Sequence, residues 1–319
     1  MVKYHILSLD GGGIRGLLTA RILERILKEY PQLFQHTDLF AGVSTGSILA
    51  VGLAKSVVFP QCSLTPSLFV ELYKDKSREI FHPRMPPIPQ NLVDLVEAKY
   101  NTENRYAVIH EYIGNITLGE LLPKHILIPT FQLDSSNAVS PARPQSPHTW
   151  KPKFFHNFSG DDSDGAQNAV DVIMRSSSAP IYFPVYQGFV DGGVAANNPS
   201  MCAFTQAVSK ENGAKKRMSE IALLSIGTGS RNKNITSRDG DWGYFQWGLT
   251  PIDLLFDSGS GVADYQCRQL LGNRYQRIDP DLKEDIGLDA LDKLERLIEI
   301  ADSYDLTDVI HWLKIYWQD

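Results

Sequence analysis

Two stretches near the start of the chain decide the fold class: YHILSLDGGGIRG at residues 4–16 and LFAGVSTGSILAVGLA at residues 39–54. Each has a short apolar run, then a turn rich in glycine, then a segment that reads as a helix. The repeated order of strand, tight turn and helix indicates parallel strands joined by crossover helices. The sequence therefore predicts an α/β three-layer sandwich with a central, mostly parallel sheet.

Further elements continue this pattern along the chain. Strands are predicted at Leu127–Leu133, Gly188–Val190 and Glu220–Ile226, and helices at Leu17–Tyr30, Ser47–Ala54, Ala169–Ser176 and Ser200–Ser209. Pro83–Pro89 holds four prolines and Asp134–Pro152 is polar, so both are predicted to be loops, and they are candidates for a lid over the substrate path.

The C-terminal part, 285–319, is predicted to be a helical extension, because its leucines and isoleucines recur every three or four residues. Trp312 and Trp317 at its end would suit a membrane surface, but the polar face is mostly acidic up to residue 308, which favours packing on the domain. We expect one domain over 1–319, with its motifs within 4–230.

Composition excludes several classes of protein. The 319 residues carry a formal net charge of −6 and are 43% hydrophobic, which describes a globular chain without the basic surface that nucleic acid requires. Two charge-free stretches, 39–54 and 56–70, are too short to span a membrane. The N-terminus lacks signal-peptide features and only three scattered cysteines are present, so we expect a cytoplasmic protein.

One G-x-S-x-G pattern occurs in the chain, at Gly42-Val43-Ser44-Thr45-Gly46. It lies between a predicted strand and a predicted helix, the context of a nucleophile elbow, in which a strained turn exposes the serine hydroxyl. Ser44 is therefore a candidate nucleophile. An ordinary glycine-rich turn is the alternative interpretation of this pattern.

The glycine loop at residues 11–16 fits G-x-G-x-x-G and has two interpretations. A dinucleotide site would need an acidic residue after the second strand, but Asp38 precedes that strand. The N–H groups of Gly11, Gly12 and Gly13 could instead form an oxyanion hole for attack by Ser44, with Arg15 adding positive charge nearby.

A serine nucleophile needs a base, and the histidines offer few candidates. Elbow hydrolases usually order their residues as Ser, Asp or Glu, then His, and of the eight histidines only His311 follows Asp191. His311 lies in the predicted terminal helix, where a packing or surface role fits better. Asp191, which opens an Asp-Gly-Gly turn after a predicted strand, is therefore a candidate to activate Ser44 directly.

Taken together, the Asp10–Gly16 loop, the Gly42–Gly46 elbow and Asp191-Gly192-Gly193 resemble the patatin-like phospholipases. The stretches 175–184, 197–199 and 224–229 add to this resemblance, which extends over about residues 4 to 280. It implies that Ser44 is the nucleophile and Asp191 its base, with Gly11, Gly12 and Gly13 as the oxyanion hole. Asp191 is followed by glycine where many members have alanine.

The resemblance further implies lipid ester hydrolysis through an acyl-serine intermediate, with no metal and no cofactor. A membrane lipid is the implied substrate, which makes peripheral membrane contact an expectation. Some bacterial relatives are switched on by a host factor or a nucleotide signal, but no motif here identifies such a regulatory partner or small-molecule activator. The acidic run Asp161–Gly165 departs from a calcium loop at two ligand positions. A glycine-loop oxidoreductase and a non-catalytic lipid-binding module remain the alternatives.

Overall fold

A computed structural model of the protein describes residues 2–62, 64–83, 97–134, 149–230 and 250–318. Residues 84–89 of the first predicted loop and residues 135–148 of the second lie outside the described residues. The second loop was predicted to reach Pro152, which is wrong at its end, because a strand begins at Lys151.

The centre of the molecule is a seven-stranded sheet between layers of helices. Its strands are β1 (Tyr4–Leu9), β2 (Leu39–Gly42), β3 (His125–Gln132), β4 (Lys151–His156), β5 (Phe189–Asp191), β6 (Ile221–Ile226) and β7 (Tyr275–Ile278). Their order is β4-β3-β2-β1-β6-β7, and β5 pairs with β3. All pairs are parallel except those of β3 with β4 and with β5. The predicted α/β sandwich with a mostly parallel sheet is confirmed.

Ten α-helices are assigned within the described residues. They are α1 (Gly16–Glu29), α2 (Thr45–Val58), α3 (Pro66–Ile80), α4 (Thr102–Ile113), α5 (Ala169–Ser176), α6 (Gly193–Ala196), α7 (Ser200–Val208), α8 (Thr250–Leu271), α9 (Leu294–Ser303) and α10 (Thr307–Tyr316). The central strands β1 and β6 are buried along their whole length, as expected for parallel strands covered on both faces.

One edge of β3 is shared by two strands, and this sharing positions the site. Leu39–Ala41 of β2 pairs with residues 125–127, and beyond Gly42 the chain leaves the sheet to begin α2. Because β4 occupies the other edge of β3, β5 pairs along the part of this edge that β2 leaves vacant. Asp191 is thereby set opposite Thr130.

The strand that ends at Asp191 runs in an unexpected direction. In the mostly parallel sheet that the sequence predicts, the strand before Asp191 would be parallel to its neighbours and would place Asp191 at its carboxyl end, but β5 runs antiparallel to β3. The three-residue strand is too short for its direction to be inferred from sequence.

The C-terminal helices pack on the same core as the sheet layers. Trp312 and Trp317 are both buried, and the Trp317 indole N–H donates to Leu33 O at 3.1 Å. Since both rings lie inside the protein, the packing interpretation of these tryptophans is confirmed.

Candidate active site

Ser44 stands at the sharp turn between β2 and α2. Its backbone has φ 54° and ψ −125°, a conformation that L-residues rarely adopt outside constrained sites. The turn is tight: a Cβ on Gly42 would lie 2.8 Å from Ala50 Cβ. The backbone N–H of Ser44 donates to Ser176 Oγ at 3.0 Å, and Ser176 Oγ donates to Pro129 O at 2.7 Å. The strand–turn–helix context expected of a nucleophile elbow is present.

Asp191 lies beside Ser44 and is only 1% exposed. Its backbone N–H donates to Ser178 O at 3.0 Å, and its Oδ1 accepts from the Gly193 N–H at 2.7 Å. Burial raises the pKa of Asp191 to about 6, although a hydrogen bond with the Ser44 side chain, the Gly193 N–H and the charge of Arg105 all lower it. A carboxylate with this pKa is ionised at neutral pH and is a stronger base than a solvated aspartate.

Two N–H groups of the glycine loop are bonded to backbone carbonyls of other segments. The N–H of Gly11 donates to Asn197 O at 3.1 Å and that of Ile14 donates to Leu288 O at 2.8 Å. Gly12 and Gly13 line the cleft beside Ser44, and their N–H groups have no acceptor among the described residues. The donors available to a developing oxyanion are therefore those of Gly12 and Gly13, because Asn197 engages Gly11.

Arg15 lies behind the loop and does not line the cleft that contains Ser44. Its Nε donates to Gly12 O at 3.3 Å and its Nη1 donates to Gly229 O at 3.2 Å. The side chain therefore holds the loop from its far side.

A buried ion pair supports the base of the same loop. Arg277 donates to both carboxylate oxygens of Asp10, at 3.0 and 2.6 Å, and also to Asp279 at 3.1 Å. Burial raises the pKa of Asp10 to about 6, while the charge and hydrogen bonds of Arg277 oppose that rise. Thr228, whose hydroxyl donates to Gly11 O at 2.8 Å, fixes the next residue of the loop.

A cleft opens in front of Ser44. Its walls are mainly apolar and come from several elements, with Ile48, Ile80, Phe81, Phe183, Phe256 and Leu288 as the large aliphatic and aromatic members. A mainly apolar cleft that is lined by Ser44, Asp191, Gly12 and Gly13 suits an ester with a hydrocarbon chain.

Sequence reasoning missed Arg105, which lines this cleft and is 2% exposed. A signal was present, because Arg105 falls on the buried face of α4 with Val108, Ile109 and Ile113. A charged residue on the apolar side of a helix indicates a buried charge with a specific role.

The other candidate residues lie apart from the cleft. His311 is exposed on α10, and no histidine is among the described residues that line the cleft. Asp38 precedes β2, where its carboxylate accepts from the His5 N–H at 2.7 Å. Within the described parts of the chain, no group of three or more His, Cys, Asp or Glu side chains could hold a metal ion.

The family model described as patatin-like phospholipase matches residues 7–203. The chain belongs to the patatin-like phospholipase family. Membership in this family supports lipid ester hydrolysis. The matched range includes the glycine loop, Ser44 and Asp191.

Relatives of the chain occur in bacteria and plants. The cGAMP-activated phospholipase of Pseudomonas aeruginosa is 30% identical in an alignment of 305 positions that covers 91% of this chain and 83% of that protein. Protein teg of Priestia megaterium is 28% identical in a gapped alignment of 347 positions that covers 99% of this chain and 100% of that protein. Patatin-like protein 4 of Arabidopsis thaliana is 28% identical in a gapped alignment of 353 positions that covers 96% of this chain and 84% of that protein.

Proposed function

We propose that the protein is a phospholipase A or lysophospholipase that cleaves carboxylic esters of membrane lipids. Ser44 Oγ attacks the ester carbonyl carbon while its proton passes to Asp191, and the carbonyl oxygen becomes the oxyanion. The N–H groups of Gly12 and Gly13 stabilise that oxyanion. One such donor typically contributes roughly 2.7 to 4 kcal/mol to the transition state.

The two halves of the reaction use the same pair of side chains. As the tetrahedral intermediate collapses, the alcohol of the lipid leaves with the proton held by Asp191, and an acyl ester remains on Ser44. A water then attacks this ester as Asp191 accepts its proton. The second intermediate expels Ser44 Oγ, which takes the proton back, and a fatty acid is released.

The observation that carries this proposal is that Ser44, Asp191, Gly12 and Gly13 line one mainly apolar cleft. Asp191 is a base in the required place because it is buried, hydrogen-bonded to Ser44 and accompanied by no histidine among the described residues of the cleft.

A panel of phospholipids, lysolipids, galactolipids and glycerides, with released acyl chains read by mass spectrometry, tests the proposal. Parallel labelling with a fluorophosphonate reports the nucleophile directly. We expect Ser44→Ala to abolish both readouts while its thermal unfolding matches that of the wild type. Because one relative is named cGAMP-activated, each assay is run with and without cGAMP.

Three outcomes separate the candidate functions. Labelling that persists in Ser44→Ala would move the nucleophile to another residue. A wild-type chain that binds lipid but neither labels nor hydrolyses under either condition would be a non-catalytic lipid-binding module. Tight binding of a nicotinamide or flavin dinucleotide would favour the oxidoreductase alternative.

We further propose a cytoplasmic protein that contacts membranes peripherally. Helix α8 contributes Phe256 to the wall of the cleft and exposes apolar residues on its outer side. Val262 and Tyr265 are 56% and 64% exposed there, next to Leu255 at 53%. None of the helices in the described ranges is long and apolar enough to cross a membrane.

Co-sedimentation with phosphatidylcholine vesicles, compared between wild type and Val262→Asp, tests the proposed peripheral membrane contact of α8. Equal binding by both would contradict it.

A further inference from the structure

Arg105 is a buried cation in an otherwise apolar cleft, and the reaction proposed above gives it no part. Its Nη1 donates to Ser177 O, and its Nη2 donates to Ser178 Oγ at 2.9 Å. Its guanidinium lies over the Phe183 ring, 4.1 Å from the centroid, and Nε has no hydrogen-bond partner among the described residues. All these partners are neutral, so the contacts do not neutralise the charge.

The charge that acts most strongly on Arg105 is that of Asp191. Both residues line the same cleft, and Ser178 connects them, because it accepts the Asp191 N–H through its carbonyl oxygen and the Arg105 guanidinium through its hydroxyl. Burial lowers the pKa of Arg105 to about 9, which leaves the guanidinium cationic at neutral pH.

We propose that Arg105 is a positioning residue for acylation, a buried counter-ion that keeps Asp191 ionised and thereby sets the pH range in which Ser44 is activated. This inference rests on the proposed function, since it takes Asp191 as the base. Burial favours the protonated form of a carboxylate, and Arg105 is the one charge that opposes this at Asp191, beside the hydrogen bonds from the Ser44 side chain and the Gly193 N–H.

No other charged group in the described cleft competes for this role. The remaining titratable groups that line the cleft are the phenols of Tyr73 from α3 and Tyr182 from the segment before β5. Tyrosines are ordinarily neutral below about pH 9. The hydroxyl of Ser44 and the Gly193 N–H act on Asp191 as hydrogen-bond donors without charge, and α8 contributes the Phe256 ring.

The test is the pH dependence of Ser44 labelling by a fluorophosphonate. In this reaction Ser44 Oγ bonds to phosphorus, fluoride leaves with its electron pair, and the hydroxyl proton passes to Asp191. Arg105→Met removes the charge but keeps a flexible apolar stem against Phe183. We expect the acidic midpoint, the pH at which the labelling rate falls to half on the acidic side, to rise by about one pH unit in this variant. Labelling then falls about tenfold relative to the wild type at pH 5, and by less than twofold at pH 9.

Three further variants make the result specific. Arg105→Lys keeps the positive charge and should restore most of the labelling at pH 5. Arg175→Gln is the matched control: this arginine packs over Phe155 and Phe189, and its charge is not among the influences on Asp191, so the midpoint should stay in place. Arg105→Gln replaces Arg105→Met if the latter fails to fold.

Asp191→Asn separates failure of this inference from failure of the proposed function. Wild-type labelling in Asp191→Asn would show that Asp191 is not the base. If that variant is inactive and the neutral Arg105 variants keep the wild-type midpoint, the counter-ion role alone is overturned. A uniform loss of labelling at every pH, in the lysine variant as well, would likewise overturn it in favour of a purely structural role. If neither neutral variant folds, Arg105→Lys decides by this last criterion.

Discussion

The glycine loop offers the sharpest test of the oxyanion assignment, through Gly12→Ala. A Cβ on Gly12 would lie 2.6 Å from Cβ and 2.8 Å from Cγ2 of Thr228, whereas non-bonded carbons rest about 3.5 to 4.0 Å apart. Thr228 is buried, and its hydroxyl is bonded to Gly11 O. The loop must therefore shift by about 1 Å, which takes a donor out of its useful range of about 2.7 to 3.1 Å. We expect kcat to fall by roughly 10²- to 10³-fold.

Steady-state hydrolysis of a chromogenic ester measures this effect. KM should change far less than kcat, because the lost contact forms mainly in the transition state. Gly261→Ala, a position in α8 with nothing within 4 Å of the added Cβ, is the matched control and should keep full activity. Unchanged kcat in a Gly12→Ala protein that melts like the wild type would refute the oxyanion assignment. Weakened dinucleotide binding in that variant would instead favour the oxidoreductase.

Three other predictions follow from the site and its support. Asp191→Asn should lower turnover by several orders of magnitude, while His311→Ala stays within a few-fold; the opposite ranking would make His311 the base. Because burial raises the pKa of Asp191 to about 6 and the ionised form is the active one, the acylation rate should halve near pH 6 and drop about tenfold by pH 5. A flat profile between pH 5 and 8 would contradict this. Arg277→Met leaves the buried Asp10 carboxylate without its counter-ion, so urea denaturation should show a loss of roughly 3 to 5 kcal/mol in the free energy of unfolding. A loss under about 1 kcal/mol in the free energy of unfolding would show that the ion pair contributes little to stability.

Sequence reasoning was strongest where residue type and local geometry are tightly linked. Two strand–turn–helix units predicted the parallel sheet, because glycine turns and helix starts are local features. β4 was missed because its first two residues are exposed and one is proline, which weakens the strand pattern. α8 was missed because 258–261 is Ser-Gly-Ser-Gly, which has low helix propensity. In the latter case tertiary packing overrides the local preference.

Some residues of the candidate site could be predicted from short motifs, whereas others depend on contacts between distant segments. Ser44, Asp191 and the loop glycines were named from sequence because each belongs to a short motif. The engagement of Gly11 by Asn197 could not be foreseen, since it depends on a backbone contact between segments 186 residues apart in the chain. The same holds for Arg277 beneath Asp10, which comes from a strand that no motif marked.

Because β2 and β5 pair with the same edge of β3, this single strand sets the spacing between the Ser44 turn and Asp191. Ala41 is aligned with Leu127 and Asp191 with Thr130. The spacing between Ala41 and Asp191 is therefore set by their positions along β3 and does not depend on the connecting segments. A change in the length of the chain between β3 and β5 would therefore leave this spacing unaltered. An insertion of one residue within 127–130 would offset the two alignments and turn one side chain to the opposite face of the sheet. Length variation among homologues should accordingly collect in the loops and spare this short stretch.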